Sequence, residues 1–252
     1  MRNMHIVLGC VHAPFHNAKM MDGVVKLINK YKDQLAGFHL IGDFLDLNSL
    51  SAHDVGRSPI NIDGDPINLT WEYRESNKLL NKFDRVLPKQ VKKYFIYGNH
   101  EDRFFRHLAT IDQSKYGDEL TSPTRGLKLK ERGYKVYEDY KNDYYYIGKH
   151  LQIFHGYYHG VTPAKQTLDK LKVSCMFAHS HRANIHYQND MIAFNIGWGG
   201  DKTQPVFNYA PRPMKDAWIN GFGVVFTDKK GGYHGQVVTA YDGNFYFNGK
   251  EY

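Results

Sequence analysis

Short apolar runs alternate with polar and glycine-rich stretches along the whole chain. Most of these runs are rich in β-branched and aromatic residues and stop at a glycine or a polar cluster, which is typical of buried strands that end at a sheet edge. We therefore predict strands at residues 4–8, 38–41, 94–97, 134–137, 144–147, 151–154, 173–177, 185–187, 191–195, 222–227, 235–240 and 244–247.

Several stretches between these strands have the apolar period or the end signals of helices. They predict helices at residues 19–31, 71–87, 103–110 and 163–171, and a helical turn at 127–132. Strands that alternate with helices indicate the α/β class. We interpret residues 134–154 as a three-stranded meander and the strands after residue 185 as a second, mostly antiparallel sheet.

The length of the chain fits one large α/β domain. Its 252 residues contain no internal repeat, low-complexity tract or linker, so we predict a single domain over residues 1–252. Two segments, around residues 51–70 and 110–130, are rich in turn signals and have no clear period. Both are candidate lid or cap segments.

The net charge and the cysteine content indicate which partners and which cell compartment the protein is suited to. Lysine and arginine number 33 against 26 acidic residues, a net charge of +7, which favours phosphate-bearing partners but also suits simple solubility. With two cysteines and no apolar run near 18 residues, we expect no disulfide framework and no membrane span. These features predict a cytoplasmic location.

Polar residues that bind metals or protons directly follow the predicted strands. Each cluster alone has an ordinary explanation as a turn, a helix cap or a hydrogen-bonded histidine. Several such clusters at successive strand ends point instead to one site in the crevice where α/β sheets bind ligands. In an extended segment, His179 and His181 would lie on one face, as would Cys10 and His12. We therefore expect two facing mixed β-sheets flanked by helices, with the polar residues on loops at one rim.

The motif order resembles that of the calcineurin-like metallophosphoesterases. This chain has Cys-x-His, Gly-Asp-x-x-Asp, Gly-Asn-His-Glu, His-Gly and Ala-His-Ser-His between residues 7 and 182. The family pattern is Asp-x-His, Gly-Asp-x-x-Asp, Gly-Asn-His-Asp/Glu, His and Gly-His-x-His. The resemblance implies the four-layer sandwich of that family. Pro-Phe-His at 14–16 and Trp-x-x-Gly-Phe at 218–222 further resemble phage-encoded or bacterial members, which would place the protein in a host cytoplasm if it is phage-encoded.

Carried over by position, the resemblance implies two divalent metal ions bridged by Asp43. The first set of ligands would be Cys10, His12, Asp43 and His181, and the second would be Asp43, Asn99, His155 and His179. Such a pair of ions activates a water and clamps phosphate oxygens during in-line displacement. His100 would donate to the leaving oxygen, and Asp46 would orient it and favour its imidazolium form.

Cys10 departs from the family pattern, which has an aspartate ligand at this position. A thiolate is a soft ligand with a longer bond, about 2.3 Å to zinc against about 2.0–2.2 Å for oxygen. If Cys10 ligates, it favours Zn or Fe over Mg or Mn at the first site, within a general expectation of Mn, Fe or Zn. If it does not ligate, the first site is weak or empty, and both alternatives remain open.

Four more residues lie close in sequence to candidate ligands and are candidates for binding the substrate phosphate. Arginine pairs bidentately with phosphate, although ordinary solvated side chains are an equal explanation. The four residues are Arg103, Arg182, His16 and His159.

The resemblance implies a dinuclear metal-dependent phosphoesterase. The basic surface slightly favours a phosphodiester of DNA, RNA or a nucleotide as substrate. Leu47 follows Asp46 where the Ser/Thr phosphatases of this superfamily have a phosphate-binding arginine, which disfavours protein phosphatase activity. The alternative is a non-catalytic phosphate-binding or scaffold protein on a partly decayed site, and Cys10 is its only support. Protein partners are not predicted.

Overall fold

Strands of the described chain form two large sheets and one two-stranded ribbon. The computed structural model describes residues 2–51, 60, 63–64, 66–111 and 121–252. Much of the predicted lid at 51–70 and part of that at 110–130 lie outside these residues. The strands are β1 Met4–Leu8, β2 Leu35–Ile41, β3 Lys92–Ile96, β4 Tyr134–Tyr137, β5 Tyr145–Ile147, β6 Leu151–Ile153, β7 Cys175–Phe177, β8 Ala183–Gln188, β9 Met191–Ile196, β10 Gly221–Thr227, β11 Tyr233–Thr239, β12 Tyr246–Phe247 and β13 Lys250–Glu251.

The helices lie between strands, and four of the six in the described residues correspond to predicted helices, whereas those at 123–126 and 212–216 were not predicted. They are α1 Ala18–Tyr31, α2 Leu69–Val86, α3 Asp102–Leu108, α4 Pro123–Gly126, α5 Pro163–Leu171 and α6 Arg212–Asp216. Asparagine caps start the two longest, because Asn17 accepts from Met20 N at 3.0 Å and Asn68 accepts from Trp71 N at 2.9 Å. The helical turn predicted at 127–132 is a run of turns after α4.

The first sheet has the strand order β11-β10-β1-β2-β3-β4. Strands β1 to β4 pair in parallel, and β10 and β11 add on antiparallel beside β1. The second sheet has the order β5-β6-β7-β9-β8, in which β6, β7 and β9 are parallel and the two edge strands are antiparallel.

Two predictions about strand partners are wrong. The meander over 134–154 does not form, because β4 belongs to the first sheet and the β5-β6 hairpin to the second. The last strands do not form a sheet of their own, since β8 and β9 join the second sheet and β10 and β11 the first. Alternating apolar residues reveal that a strand exists, but its partner depends on contacts far away in sequence.

The two large sheets face each other across a shared core. Val7 and Ile41 of the first sheet and Met176 and Phe194 of the second belong to one buried cluster. Helices α1 and α2 cover the outer face of the first sheet, and α5 packs on the outer face of the second. The predicted α/β class with two facing mixed sheets flanked by helices is therefore confirmed.

Candidate metal centre

The loops after β1, β2, β3, β6 and β7 meet at one rim of the facing sheets. They bring together every side chain that the sequence predicts as a metal ligand. These residues are Cys10, His12, Asp43, Asn99, His155, His179 and His181.

The first group of donor atoms contains one sulfur, two imidazoles and one carboxylate. Its ligand atoms, from Cys10, His12, Asp43 and His181, all lie within 4.8 Å of one another. The two Nε2 atoms of His12 and His181 are 3.0 Å apart, and Cys10 Sγ is 4.0 Å from Asp43 Oδ2. Four buried donors of this kind match the composition of a tetrahedral site for a borderline-soft metal.

The second group shares Asp43 with the first. Its ligand atoms, from Asp43, His155 and His179, also lie within 4.8 Å of one another. Asn99 Oδ1 is 3.1 Å from His155 Nε2 and 3.0 Å from His179 Nδ1, and His155 Nε2 is 3.3 Å from Asp43 Oδ2. One carboxylate between two donor groups is the arrangement that a pair of metal ions requires.

Hydrogen bonds outside the two groups orient two of the imidazoles. His12 Nδ1 donates to Asp46 Oδ2 at 2.9 Å, and His155 Nδ1 donates to the Ile41 carbonyl at 3.0 Å. These bonds place the hydrogen on Nδ1 and leave each Nε2 lone pair directed into the cluster. Histidines that hold a metal are commonly fixed in this way, so the residues present fit a metal centre.

The pKa shifts show how the cluster distributes charge without a metal. Burial opposes ionisation of Asp43, but His155 and His100 outweigh it and hold the pKa of Asp43 well below its usual range. Burial likewise opposes charging of His155, yet the Asp43 carboxylate raises its pKa. Burial lowers the pKa of His179 to about 4, so this imidazole is neutral and available as a ligand at neutral pH.

Cys10 is a protonated thiol in this arrangement. Burial and then the Asp43 carboxylate raise the pKa of Cys10 well above its usual value. His179 N donates to Cys10 Sγ at 3.0 Å, which favours the thiolate. A metal bound by Cys10 would therefore displace a proton, as thiolate ligation requires.

Five of the seven candidate ligands have left-handed backbone. The φ angles are 48° at Cys10, 52° at His12, 50° at Asp43, 67° at His179 and 59° at His181. The prediction that Cys10–His12 and His179–His181 are extended segments is therefore wrong, and tight turns bring their side chains together. Left-handed backbone costs roughly 1–2 kcal/mol per non-glycine residue and concentrates at functional sites.

Two glycines leave room for this packing. A Cβ at Gly98 would lie 2.1 Å from Asp43 Oδ1, and a Cβ at Gly42 would lie 2.2 Å from His155 Nδ1. Gly42 also has a φ of 88°. The glycines that precede Asp43 and Asn99 therefore permit close approach of a neighbouring ligand loop.

Glu101 connects the loop after β2 to the loop after β3 through hydrogen bonds to both. Fully buried, it accepts from the backbone N–H groups of Asp43 at 2.9 Å, Leu45 at 2.8 Å and Gly98 at 2.8 Å. Three such bonds fix the loop after β2 against the loop after β3, and so position Asp43.

His100 and Asp46 are adjacent, with Asp46 Oδ2 3.5 Å from His100 Nδ1, but the hydrogen bond between them is made by the Asp46 backbone. His100 Nδ1 donates to the Asp46 backbone carbonyl at 2.7 Å, whereas the Asp46 carboxylate accepts from His12. Arg103 Nη2 donates to His100 Nε2 at 3.2 Å. Burial and then Arg103 lower the pKa of His100 to about 3, so the predicted imidazolium is wrong: desolvation outweighs the nearby carboxylates.

A cavity of about 210 Å³ opens beside the cluster. Asp43, Asn99, His100, His179 and His181 contribute to its wall. This volume is large enough for a phosphate group but not for a whole nucleotide, so the rest of such a substrate would lie outside the cavity, at its opening.

Comparison with known proteins identifies the fold but not the family. No family model matches the chain. No curated protein matches it either. Among solved structures, vacuolar protein sorting 29 from Cryptosporidium parvum aligns over 99% of this chain and 97% of its own, at 13% identity and a TM-score of 0.50. The chain has the metallophosphoesterase fold.

Two further solved structures align at lower TM-scores. Vps29 from Entamoeba histolytica, solved in complex with zinc, is 10% identical over 94% of this chain and 98% of its own, with a TM-score of 0.45. A predicted phosphoesterase from Streptococcus pneumoniae is 12% identical over 100% and 98%, with a TM-score of 0.40. The metallophosphoesterase fold of this chain is inferred without them.

The four residues predicted to bind substrate phosphate have different positions on this metallophosphoesterase fold. Arg182 and His159 line the cavity, and within the described chain the Arg182 guanidinium has no ion-pair partner. Arg103 contacts His100 and Asp46 and does not line the cavity. His16 is absent from the cavity wall too. Its backbone forms a β-bridge with Gly200. The charged groups that interact electrostatically with its ring are Lys82, Asp22 and Asp201.

An aromatic wall around the first donor group is a feature that the sequence did not predict. His181 stacks on Trp198 with ring centroids 4.8 Å apart, and Trp218 meets it edge-on at 4.8 Å. Phe207 lies 5.6 Å from the His12 ring. Isolated aromatic residues in a turn-rich stretch have no period, so the sequence carried no signal for this wall beyond the motif that contains Trp218.

Proposed function

We propose that this protein is a metal-dependent phosphoesterase of the calcineurin-like metallophosphoesterase type, with a dinuclear centre. The proposal rests on two donor groups that share the Asp43 carboxylate and are buried except for the partly exposed His179. Two divalent ions, Mn, Fe or Zn, would activate a water and neutralise phosphate charge when bound. The first would be held by Cys10, His12, Asp43 and His181, and the second by Asp43, Asn99, His155 and His179.

The remaining polar side chains of the site would orient the substrate. The Arg182 guanidinium, which has no ion-pair partner among the described residues, can bind a phosphate oxygen. His159 lines the same cavity, with its ring centroid 5.6 Å from that of His179. His100 would lie beside the leaving oxygen as a neutral imidazole, with Nδ1 donating to the Asp46 carbonyl and Nε2 accepting from Arg103. Asp46 would act through His12 as well, because its carboxylate fixes the His12 tautomer.

We further propose that the substrate is a phosphodiester of a nucleic acid or nucleotide. The net charge of +7 favours polyanions, and the 210 Å³ cavity is lined by the exposed aromatic side chain of Tyr209. No helix in the described part of the chain has the length and apolar character needed to cross a bilayer. Location in the cytoplasm, or in a host cytoplasm for a phage-encoded member, stays a prediction.

The alternative is a non-catalytic phosphate-binding or scaffold protein. Only Cys10 favours it, since every other ligand position of the family pattern is present and lies within one cluster. A decaying site would be expected to lose more than one group.

Metal analysis and hydrolysis together test the proposal. Protein purified without chelator is expected to contain about two metal ions per chain and to hydrolyse bis(p-nitrophenyl) phosphate in a chelator-sensitive way. Asp43→Asn should lose metal and activity together, whereas exposed Asp33→Asn should keep both. His100→Asn should keep its metals and lose about 10–100-fold in turnover, because the His100 ring packs against His12 and Asp46 beside the first donor group.

Two results would count against parts of this proposal. Full metal content without hydrolysis of any phosphate ester would favour the scaffold alternative. Loss of metal in His100→Asn would make His100 a ligand and contradict its assigned role.

A further inference from the structure

Tyr209 stands at the mouth of the cavity, on a well-anchored segment. It follows the 3₁₀ turn Pro205–Phe207, in which Phe207 is buried, and its ring centroid is 6.5 Å from that of Trp218. Tyr209 itself is 61% exposed and lines the cavity with His100 and Arg182. A large exposed aromatic on a fixed backbone is therefore presented to whatever enters the cavity.

The Tyr209 phenol lies within the electrostatic reach of the reactive groups. The charges that act on it most strongly are those of Asp46 and Arg103, followed by Asp43 and Cys10. Asp46 and Arg103 are also the residues that contact His100. Because Tyr209 and His100 line the same cavity, the phenol is available to a leaving oxygen bound beside His100.

The hydrogen bonds of His100 leave it without an N–H group that could donate to the leaving oxygen. His100 Nδ1 already donates to the Asp46 carbonyl, and His100 Nε2 accepts from Arg103. While these bonds hold, His100 has no N–H directed at a substrate. The Tyr209 hydroxyl, in contrast, has no hydrogen-bond partner in the part of the chain that the structure describes.

We propose that Tyr209 is a catalytic residue that donates a hydrogen bond from its phenol to the leaving oxygen of the substrate. This inference rests on the proposed phosphodiester hydrolysis. In that reaction a water oxygen bonds to phosphorus, the bond from phosphorus to the leaving oxygen breaks, and the leaving oxygen keeps the electron pair. A water proton completes the alcohol product, and Tyr209 keeps its own proton throughout.

The benefit of such a donor depends on the charge that develops on the leaving oxygen. An alkoxide accumulates much negative charge, so a fixed O–H donor stabilises its transition state strongly. A nitrophenolate spreads that charge into its ring and gains little. Tyr209→Phe removes only the hydroxyl and keeps the ring, so it isolates this contribution.

The test compares two diesters on metal-loaded protein. Tyr209→Phe is expected to lower kcat by about 10²-fold on thymidylyl-thymidine, which has an alkoxide leaving group, in line with loss of one oxyanion donor. The loss of kcat on bis(p-nitrophenyl) phosphate should be much smaller, because that leaving group gains little from the donor. Metal content should equal that of the wild type, because Tyr209 belongs to neither donor group.

Two further variants complete the design. Tyr187→Phe removes a hydroxyl from a 70% exposed tyrosine on β8, away from the cavity, and should behave as the wild type on both diesters. Tyr209→Leu removes the ring as well. If Tyr209→Phe has the kcat of the wild type on both diesters while Tyr209→Leu raises KM, Tyr209 only stacks on the substrate and the proposal is overturned.

The remaining outcomes separate this inference from the proposed function. Equal loss on both diesters in Tyr209→Phe would overturn the leaving-group role while hydrolysis itself stands. If the wild type, loaded with metal, hydrolyses neither diester, the proposed function fails and this inference fails with it.

Discussion

Sulfur in place of oxygen at a single residue, Cys10, changes the metal that the first donor group should prefer. Thiolates favour borderline-soft cations, whereas carboxylates favour hard ones. Cys10 Sγ lies within the first donor group, 4.0 Å from the shared carboxylate of Asp43. The residue therefore offers a direct test of whether the departure from the family pattern is functional.

For Cys10, we expect a change of metal preference rather than loss of the site. Cys10→Asp should shift metal preference from Zn or Fe towards Mn or Mg and keep activity. Cys10→Ser should weaken zinc binding by more than the roughly 10–100-fold seen when an outer-shell partner is lost. Metal content by mass spectrometry and zinc titration by calorimetry measure both effects.

The second cysteine is the matched control for this experiment. Cys175 is also buried but belongs to the cluster beneath α5, so Cys175→Ser should not change metal binding. Unchanged metal content and activity in Cys10→Ser would rule out ligation by Cys10. In that case Cys10→Asp should raise both occupancy and rate.

At the scale of elements, a buried carboxylate of α2 supports the loop that carries Asp46. Glu72 accepts from the backbone N–H groups of Asn48 at 2.8 Å and Ser49 at 3.1 Å, at the start of a 3₁₀ turn. It is fully buried. Burial and then the Asp46 carboxylate raise the pKa of Glu72 from 4.5 to about 7.

The raised pKa of Glu72 makes stability depend on pH in a defined direction. The folded protein holds this proton more tightly than the unfolded chain, so the stabilisation is complete below pH 4.5 and is lost as pH rises through about 7. The shift corresponds to at most about 3 kcal/mol. Glu72→Gln should remove this pH dependence of the free energy of unfolding.

Urea unfolding of metal-free protein between pH 4.5 and 8 measures this effect. The difference in unfolding free energy between Glu72→Gln and the wild type should move in favour of the variant as pH rises. Glu131→Gln, at an exposed position, should follow the wild type at every pH. Parallel curves for Glu72→Gln and the wild type would contradict the assignment.

At the scale of the whole molecule, a buried polar chain connects the two sheets. His39 of β2 lies 3.0 Å from His5 of β1 and 2.7 Å from the hydroxyl of Tyr145 on β5. The rings of His39 and Tyr94 are stacked 4.9 Å apart. His39 is 1% exposed, so its hydrogen bonds cannot be replaced by water.

A double-mutant cycle tests this connection. Either His39→Leu or Tyr145→Phe leaves a buried polar partner unsatisfied and should cost about 1–3 kcal/mol of unfolding free energy. The double variant should cost less than the sum of the single ones, with a coupling of roughly 0.5–3 kcal/mol. Costs that add within about 0.5 kcal/mol would show that the two sheets are not coupled through this pair.

The local pattern of the sequence determined the elements and the chemistry of the site. Strands β1 and β4 and helix α5 begin and end where the apolar pattern predicts, because residue alternation and end signals act over a few positions. The order of the polar motifs carried the family resemblance, and that resemblance implied all seven candidate ligands. Strands in these folds deliver their carboxyl ends to a common rim.

Only the tertiary structure decided what depends on contacts between distant segments. The pairing of strands depends on such contacts, since β4 and β5 are neighbours in sequence but lie in different sheets. The neutral form of His100 depends on them as well, because burial and Arg103 lower its pKa. The position of Tyr209 at the cavity is the third case. Periodicity reports which face of an element is apolar, whereas pairing, desolvation and convergence arise only once separate segments pack together.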